Sequence, residues 1–303
     1  MTKDFLCLSD WSLEDLEKII ALGKELKAKQ KEGTPHKLLE GQTLGMLFEK
    51  SSTRTRVSFE VGMFQLGGHA LFLASGNTQM GRGEPIKDTA RVMARYCDGI
   101  MIRTYSQQAV EEFAENCFVP VINGLTDMYH PCQVMADLMT VSEHKENYKE
   151  LKYCWIGDGN NMANSWINAA AIFGFELRVA TPKGYEAHPD VIARAEKAGA
   201  KLIFTNDPKE AAAGSDVLNT DVWASMGQEA EQAEREKTFV GFQINNELVK
   251  LADPECVVMH CLPAHRDEEI SDEVIEGPHS IIFDEAENRL HVQKAIMATL
   301  MAR

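Results

Sequence analysis

Residues 44–56 read LGMLFEKSSTRTR, and this stretch indicates the fold class. The apolar run Leu44–Phe48 has the length of a buried strand, and the hydroxyl-rich segment after it is typical of a helix start. We therefore predict a strand at Leu44–Phe48 and a helix near Arg54–Leu66. A strand that leads directly into a helix is the repeating element of parallel α/β sheets.

The same alternation continues along the chain, where short apolar runs precede segments of helical periodicity. Further strands are predicted at Ala70–Leu73, Gly99–Arg103, Val119–Ile122, Tyr153–Ile156, Leu177–Ala180, Leu202–Thr205, Val217–Thr220, Val257–His260 and Ile281–Phe283. The fold class is therefore α/β, with two doubly wound parallel-sheet domains and an active-site cleft between them. In such sheets, ligands bind beyond the carboxyl ends of the strands.

Two domains are expected because 303 residues exceed the roughly 100–200 residues of one typical domain. A polar, charge-rich stretch, Glu143–Lys152, separates the two series of strands. We predict a first domain at residues 1–145 and a second at 146–284. A long amphipathic helix within residues 285–303 is expected to pack back on the first domain.

Composition excludes several classes of function. The net charge of −15 argues against nonspecific binding to nucleic acid or to acidic membranes. No apolar run reaches the roughly 18 residues of a membrane span. Seven cysteines lie scattered without paired spacing, which indicates free thiols and a cytoplasmic protein. A local arginine cluster would still bind an anionic small molecule, because exposed charges are screened within about 10 Å.

The segment Ser51–Arg56 predicts a phosphate site at a helix N-terminus. Unpaired backbone N–H groups and the positive end of the helix dipole favour an anion there. Ser52, Thr53 and Thr55 add hydroxyl donors, and Arg54 is suited to bidentate bonds to phosphate. The alternative is an ordinary Ser/Thr helix cap with solvated arginines. Two arginines interleaved with hydroxyls favour anion binding.

Other candidates in the first domain follow predicted strands. Arg103 ends one strand, and His130-Pro131-Cys132-Gln133 stands between a strand and a helix. His130 is a candidate to polarise a carbonyl group, although a lone histidine is more often structural. Gln79 lies in a glycine-rich loop, Gly76–Gly83, whose simpler interpretation is a surface loop.

The second domain contains a glycine pattern that invites a dinucleotide-binding interpretation. Gly157-Asp158-Gly159 follows a predicted strand, but Met162 occupies the position of the third glycine. The pattern therefore argues against a nicotinamide cofactor, and the tandem asparagines 160 and 161 are available for a polar ligand. Asp221 also follows a strand and would bind an ammonium group or cap a helix. The segment Asp221–Gly227 and the charged stretch Gln228–Lys237 after it are together predicted to form a long mobile loop of lid type.

His260-Cys261-Leu262-Pro263-Ala264-His265 suggests either zinc or a Cys–His pair. A fourth ligand and the usual cysteine spacing are missing, which disfavours zinc. Adjacent residues of an extended chain point to opposite faces, so His260 is poorly placed to activate Cys261. We predict no metal and no organic cofactor.

Together these motifs resemble the aspartate/ornithine carbamoyltransferase family, and its ornithine branch in particular. Ser52–Arg56 is similar to the carbamoyl phosphate signature, and Ser225-Met226-Gly227 with His260–Pro263 is similar to segments specific to the ornithine branch. The resemblance covers nearly the whole chain in the family's motif order. It implies transfer of a carbamoyl group from carbamoyl phosphate to the side-chain amine of L-ornithine, giving L-citrulline and phosphate, within arginine metabolism.

The resemblance also implies roles for individual residues. The carbamoyl phosphate contacts would be Ser52, Thr53, Arg54, Thr55, Gln79, Arg103, His130, Gln133 and Arg289. The ornithine contacts would be Asn161, Asp221, Ser225 and Met226, with Cys261 and Leu262 lining the pocket. A homotrimer is implied, in which the Gln79 loop of one subunit completes a neighbour's site. The alternatives are another amine acceptor, such as putrescine, and a non-catalytic small-molecule sensor.

Overall fold

The computed structural model describes residues 3–74, 83–224 and 231–302. These residues form two compact units, which we call the first unit (residues 3–139 and 287–302) and the second unit (140–224 and 231–286). The boundaries between the units fall within two helices, α5 (Pro131–His144) and α12 (Ile282–Met301). The predicted fold class, two α/β units with parallel sheets, is confirmed.

The first unit alternates strands and helices around one sheet. Its strands are β1 (Thr43–Phe48), β2 (His69–Ala74), β3 (Gly99–Arg103) and β4 (Val121–Leu125). Its helices, besides α5 and α12, are the 3-10 helix Leu8–Asp10, α1 (Leu13–Lys31), α2 (Thr53–Gln65), α3 (Ile86–Met93) and α4 (Gln107–Glu115). All strand pairs are parallel, in the order β2-β1-β3-β4. The chain therefore reverses its direction of winding between β1 and β3, where such sheets bind ligands.

The second unit has a five-stranded parallel sheet. Its strands are β5 (Lys152–Ile156), β6 (Glu176–Ala180), β7 (Lys201–Thr205), β8 (Val217–Thr220) and β9 (Val257–His260). Its helices are α6 (Asn161–Phe173), α7 (Pro189–Lys197), α8 (Pro208–Ala212), α9 (Gln232–Thr238), α10 (Asn246–Val249) and α11 (Asp272–Ile275). The strand order is β7-β6-β5-β8-β9, so winding reverses between β5 and β8.

Local sequence explains where the helices near the candidate sites begin. Ser12, Ser52 and Asn160 precede α1, α2 and α6, and each side chain accepts a hydrogen bond from a backbone N–H of the first turn. These caps satisfy donors that helical hydrogen bonding leaves unpaired. The strands that precede α2 and α6 are almost wholly buried, so each helix start is fixed at the carboxyl edge of its sheet.

Two predictions from the sequence are wrong. Ile281–Phe283 is not a strand: Ile281 N–H donates to Val258 O at 3.0 Å, and α12 begins at Ile282. A three-residue apolar run does not distinguish a strand from a buried helix start, and the acidic residues 284 and 285 favour a helix N-terminus. The stretch Gln228–Lys237 is not wholly a loop, since Gln232–Thr238 forms α9. Among the described helices, none combines the length and apolar character that crossing a membrane requires.

Candidate active site

The phosphate signature lies at the N-terminus of α2, next to the point where the first sheet reverses its winding. Ser52 Oγ accepts from the N–H of Thr55 at 3.2 Å, and Thr55 is buried. Thr53 and Arg54 are exposed at the same helix start. Among the residues that the structure describes, Arg54 has no ion-pair partner. The second arginine of the signature, Arg56, instead lies over the ring of Phe72 at 3.8 Å.

Two buried arginines converge on the hydroxyl oxygen of Thr55. Arg103, at the end of β3, donates from Nη1 at 3.3 Å, and Arg289, on α12, donates from Nη2 at 3.5 Å. Ser52 Oγ also donates to this oxygen, at 3.2 Å. Two guanidinium groups beside one neutral hydroxyl concentrate positive charge. This arrangement favours an anionic ligand.

Side-chain amides fix the orientation of Arg289. Gln133 Oε1 accepts a short hydrogen bond from Arg289 Nη1. With its amide oxygen turned toward Arg289, Gln293 accepts from Nε at 3.1 Å and from Nη2 at 2.8 Å. Gln133 Nε2 in turn donates to Asp137 Oδ1 at 2.8 Å. The guanidinium is therefore held in one plane by residues of α5 and α12.

His130 lies between β4 and α5 and is almost completely buried. Burial, followed by the positive charges of Arg289 and Arg103, holds the pKa of His130 well below its ordinary value. The imidazole is therefore neutral near pH 7. The loop before it is organised by Thr126, whose Oγ1 accepts from the N–H of Tyr129 at 3.0 Å. A neutral imidazole can still donate one N–H to a ligand oxygen.

In the second unit, polar side chains meet where β5 and β8 end. Asn160 accepts from two backbone N–H groups of α6 and donates from Nδ2 to Asp221 Oδ2 at 3.0 Å. Cys261 Sγ donates to the other Asp221 oxygen, Oδ1, at 3.2 Å. Asn161, which follows Asn160 in the sequence and is the first residue of α6, is also buried. Asp221 is thus a buried carboxylate between an amide and a thiol, which suits an ammonium group.

Gln79, Ser225 and Met226, the remaining predicted contacts, lie outside the described residues. The described set divides between the two units. Ser52, Thr53, Arg54, Thr55, Arg103, His130, Gln133 and Arg289 lie in the first unit. Asn161, Asp221, Cys261 and Leu262 lie in the second unit.

His260 supports the loop that carries Cys261. Its Nε2 is 2.9 Å from Glu269 Oε1, both side chains being fully buried, and its Nδ1 accepts from the N–H of Leu262 at 2.9 Å. Glu269 Oε1 also accepts from the N–H of His265 at 2.7 Å. Both ring nitrogens of His260 are therefore engaged, and the Cys261 thiol donates to Asp221. This geometry does not support a Cys–His nucleophile.

The glycine pattern after β5 has a packing explanation. A Cβ on Gly159 would lie 2.2–2.5 Å from backbone atoms of residues 186 and 187, so only glycine fits there. Asp158, between the two glycines, pairs with Arg235 Nη1 at 2.9 Å. Burial raises the pKa of Asp158 to about 6, against the opposing effect of Arg235. The pattern thus serves chain packing and an ion pair that ties α9 to the end of β5.

Two groups of described side chains place possible metal ligands close together. Asp221, His260 and Cys261 have ligand atoms within 4.8 Å of one another, as do His265, Glu268 and Glu269. In the first group, the ring nitrogens of His260 already bond to Glu269 and to the N–H of Leu262. In the second group, Glu269 Oε1 accepts two hydrogen bonds from the protein.

Several residues that shape the site were not identified from the sequence. Three of them hold a predicted residue in place by a hydrogen bond. Asp137 bonds to Gln133, Gln293 bonds to Arg289, and Glu269 bonds to His260. Asn160 was named from the sequence only as a possible contact of a polar ligand, although asparagine after a strand and before a helix is also a common cap. The others carry no local signal, because a buried carboxylate or amide is recognised only when its partner is known.

Comparison with known proteins places this geometry among carbamoyltransferases. Residues 3–143 match the family model "Aspartate/ornithine carbamoyltransferase, carbamoyl-P binding domain", and residues 149–300 match its "Asp/Orn binding domain". The chain is 74% identical over 302 residues to the ornithine carbamoyltransferase of Syntrophotalea carbinolica, with 100% of each chain covered.

Solved structures agree in fold along nearly the whole chain. The ornithine carbamoyltransferase from Pyrococcus furiosus is 52% identical with a TM-score of 0.94, covering 98% of this chain and 96% of that one. An anabolic ornithine carbamoyltransferase from Campylobacter jejuni is 44% identical with a TM-score of 0.93, and 99% of each chain is covered.

Proposed function

The chain belongs to the aspartate/ornithine carbamoyltransferase family, and we propose how its residues carry out the reaction. The enzyme transfers the carbamoyl group of carbamoyl phosphate to the side-chain amine of L-ornithine and releases L-citrulline and phosphate. The observation that carries the site assignment is the convergence of Arg103 and Arg289 on Thr55, inside the phosphate signature.

Carbamoyl phosphate binds to the first unit. The helix N-terminus with Ser52, Thr53 and Arg54 holds the phosphate group, because it combines backbone N–H groups, hydroxyls and an arginine that has no ion-pair partner among the described residues. Arg289 and Gln133 hold the carbamoyl end, and Gln79 is assigned to the phosphate by resemblance. Residues 1–145 with the helix in 285–303 thus form the carbamoyl phosphate-binding domain, as the match to residues 3–143 supports.

Attack on the carbamoyl carbon places negative charge on the carbonyl oxygen. Arg103, Thr55 and neutral His130 supply the donors to this oxygen. The charge of Arg103 contributes most, because it lies in a buried site where water does not screen it. Loss of one such donor typically costs about 10²- to 10³-fold in rate.

L-Ornithine binds to the second unit, at residues 146–284. Asp221 holds its α-amino group together with Ser225, while Asn161 and the backbone of Met226 hold its carboxylate. Cys261 and Leu262 line the pocket near the attacking nitrogen. An amine of this kind has a pKa of about 10.4, so the site must favour its neutral form by desolvation or neighbouring positive charge. A carboxylate facing the reacting amine would instead favour its charged form. We therefore assign Asp221 to the α-amino group.

We further propose a homotrimer, as the family resemblance implies. One face of α2 supports an interface, because Val57, Val61 and Phe64 recur at helical spacing and are exposed, Phe64 by 79%. Arginine metabolism is the proposed context. A cytoplasmic location is supported by the seven cysteines, all of which are free thiols. The chemistry proposed here uses no cofactor.

The test is citrulline formation from carbamoyl phosphate and L-ornithine, with aspartate and putrescine as parallel acceptors. Turnover with ornithine alone is expected. Turnover with another acceptor would keep the first-unit assignment and overturn that of the second unit. Binding of carbamoyl phosphate without any turnover would favour a sensor.

A further inference from the structure

His265, Glu268 and Glu269 form a cluster of possible metal ligands to which the mechanism above assigns no substrate contact. One ligand atom of each side chain, a ring nitrogen or a carboxylate oxygen, lies within 4.8 Å of the other two. A tight turn brings the residues together: the Glu268 N–H donates to His265 O at 3.0 Å, and the His265 N–H donates to Glu269 Oε1 at 2.7 Å. The hydrogen bonds of the turn therefore hold the three residues close to one another.

Glu269 is the member of the cluster that needs a further partner. Its side chain is fully buried. Oε1 accepts from the His265 N–H and lies 2.9 Å from His260 Nε2, whereas Oε2 is buried and has no hydrogen-bond partner among the residues that the structure describes. A buried carboxylate oxygen without a partner costs free energy, and a bound cation would offset that cost. The cluster thus differs from an acidic patch on the surface, whose oxygens bond to water.

The other two side chains have the spacing of two ligands on one zinc ion. His265 Nδ1 and Glu268 Oε2 are 3.4 Å apart, and their side chains are 42% and 36% exposed, so an ion can reach them from solvent. Two atoms bound at about 2.0–2.1 Å in a tetrahedral site lie about 3.4 Å apart. A nitrogen ligand favours Zn²⁺ over Mg²⁺ and Ca²⁺, which bind through oxygen. The positive charge of neighbouring Arg266 is balanced by ion pairs with Asp272 and Glu276.

We propose that His265, Glu268 and Glu269 bind one zinc ion, with water as the fourth ligand. The sequence disfavoured zinc in this segment, because His260, Cys261 and His265 lack a fourth ligand and the usual spacing. The structure instead joins His265 to two carboxylates that follow it by three and four residues. Since Glu269 also contacts His260, the ion stabilises the folded loop between these two residues.

The experiment measures Zn²⁺ binding to the full-length protein by equilibrium dialysis. It is done in a Cys261→Ala background, which removes the sulfur of the other ligand group, formed with Asp221 and His260. One zinc ion per chain is expected. In that background, His265→Ala and Glu268→Gln should each weaken zinc binding at least about tenfold. Zinc should also raise the free energy of unfolding in urea, and each of the two variants should reduce this increase.

His144→Asn is the matched control. His144 Nε2 also lies beside a carboxylate, 2.9 Å from Asp284 Oδ2, but the pair belongs to no group of three possible ligands among the described residues. This variant should bind zinc as tightly as its parent. Because neither His265 nor Glu268 is assigned to a substrate, both variants should keep citrulline formation without zinc, so the two proposals fail separately.

Cobalt(II) distinguishes the two ligand groups in the wild-type protein. The proposed site offers nitrogen and oxygen, so bound cobalt should give no thiolate-to-metal charge-transfer band, whereas cobalt bound to Cys261 would give one. Zinc binding that disappears in Cys261→Ala would overturn the proposal, and so would binding that is unchanged in His265→Ala and in Glu268→Gln. Equal weakening in His144→Asn would show nonspecific surface binding and would overturn it as well.

Discussion

Replacing Thr55 with valine removes the oxygen on which the first-unit site converges. Valine has the same branched shape, so no cavity is left at this buried position. The hydroxyl accepts from Arg103 at 3.3 Å and from Arg289 at 3.5 Å, which are long hydrogen bonds at the weak end of their range. The larger loss is its proposed donation to the carbonyl oxygen in the transition state. Removal of such a donor predicts about a 10²-fold drop in kcat/KM for carbamoyl phosphate.

Steady-state kinetics with each substrate varied in turn measures this loss. The KM for ornithine should change little, because Asp221 and its neighbours belong to the second unit. Ser215→Ala is the matched control: its buried hydroxyl donates to Ala211 O at 2.9 Å at the amino end of β8, so it should lower stability alone. A Thr55→Val enzyme with kcat/KM within twofold of wild type would show that the Thr55 hydroxyl does not stabilise the transition state.

Three further predictions concern charge. Asp221→Ala should raise the KM for ornithine far more than that for carbamoyl phosphate; equal increases would displace Asp221 from the ornithine site. His130 should show no imidazole titration by NMR between about pH 8 and about pH 6, because burial and two arginines disfavour its charged form. Burial lowers the pKa of Lys294 from 10.5 to about 8. Between these two pH values the unfolded chain holds the proton and the folded chain does not, so the free energy of unfolding should rise with pH, by about 3 kcal/mol. Lys294→Met should abolish this rise in urea titrations, and an unchanged slope would contradict the prediction.

The fold was predictable because its signals are local. Residues 44–48 of β1 form an apolar run, and Ser52, four residues after its end, is a strong helix cap. In the second unit, the buried run 153–156 of β5 is likewise followed, four residues after its end, by the helix cap Asn160. The prediction failed at Ile281–Phe283, where Ile281 bonds to Val258 but the chain then turns into α12. Only the tertiary partner decides whether so short an apolar run becomes a strand or a helix.

The site was predictable in part, and the limit is physical. Thr55 lies in the helix that follows β1 and Arg103 ends the neighbouring strand β3, so their convergence is expected from topology. Arg289 is far from them in sequence, and only the family resemblance pointed to it. Its supports, Gln293 and Asp137, had no signal at all, because a hydrogen bond between side chains is specified by geometry and leaves no pattern along the chain.

Both units place a buried carboxylate one side chain away from a residue assigned to substrate. Asp137 contacts Gln133, which contacts Arg289, and Glu269 contacts His260, which holds the N–H of Leu262. If Asp137 contacted Arg289 directly, an ion pair at about 4 Å would contribute about 4 kcal/mol at an effective dielectric constant of about 20. That attraction would offset much of the pull of Arg289 on a phosphorylated substrate. An intervening amide roughly doubles the distance between the two charges and halves their attraction. Arg289 can therefore attract the ligand more strongly while its orientation is still fixed. A chain of net charge −15 can thus still hold an anion where a neutral amide, such as that of Gln133, lies between a buried carboxylate and an arginine.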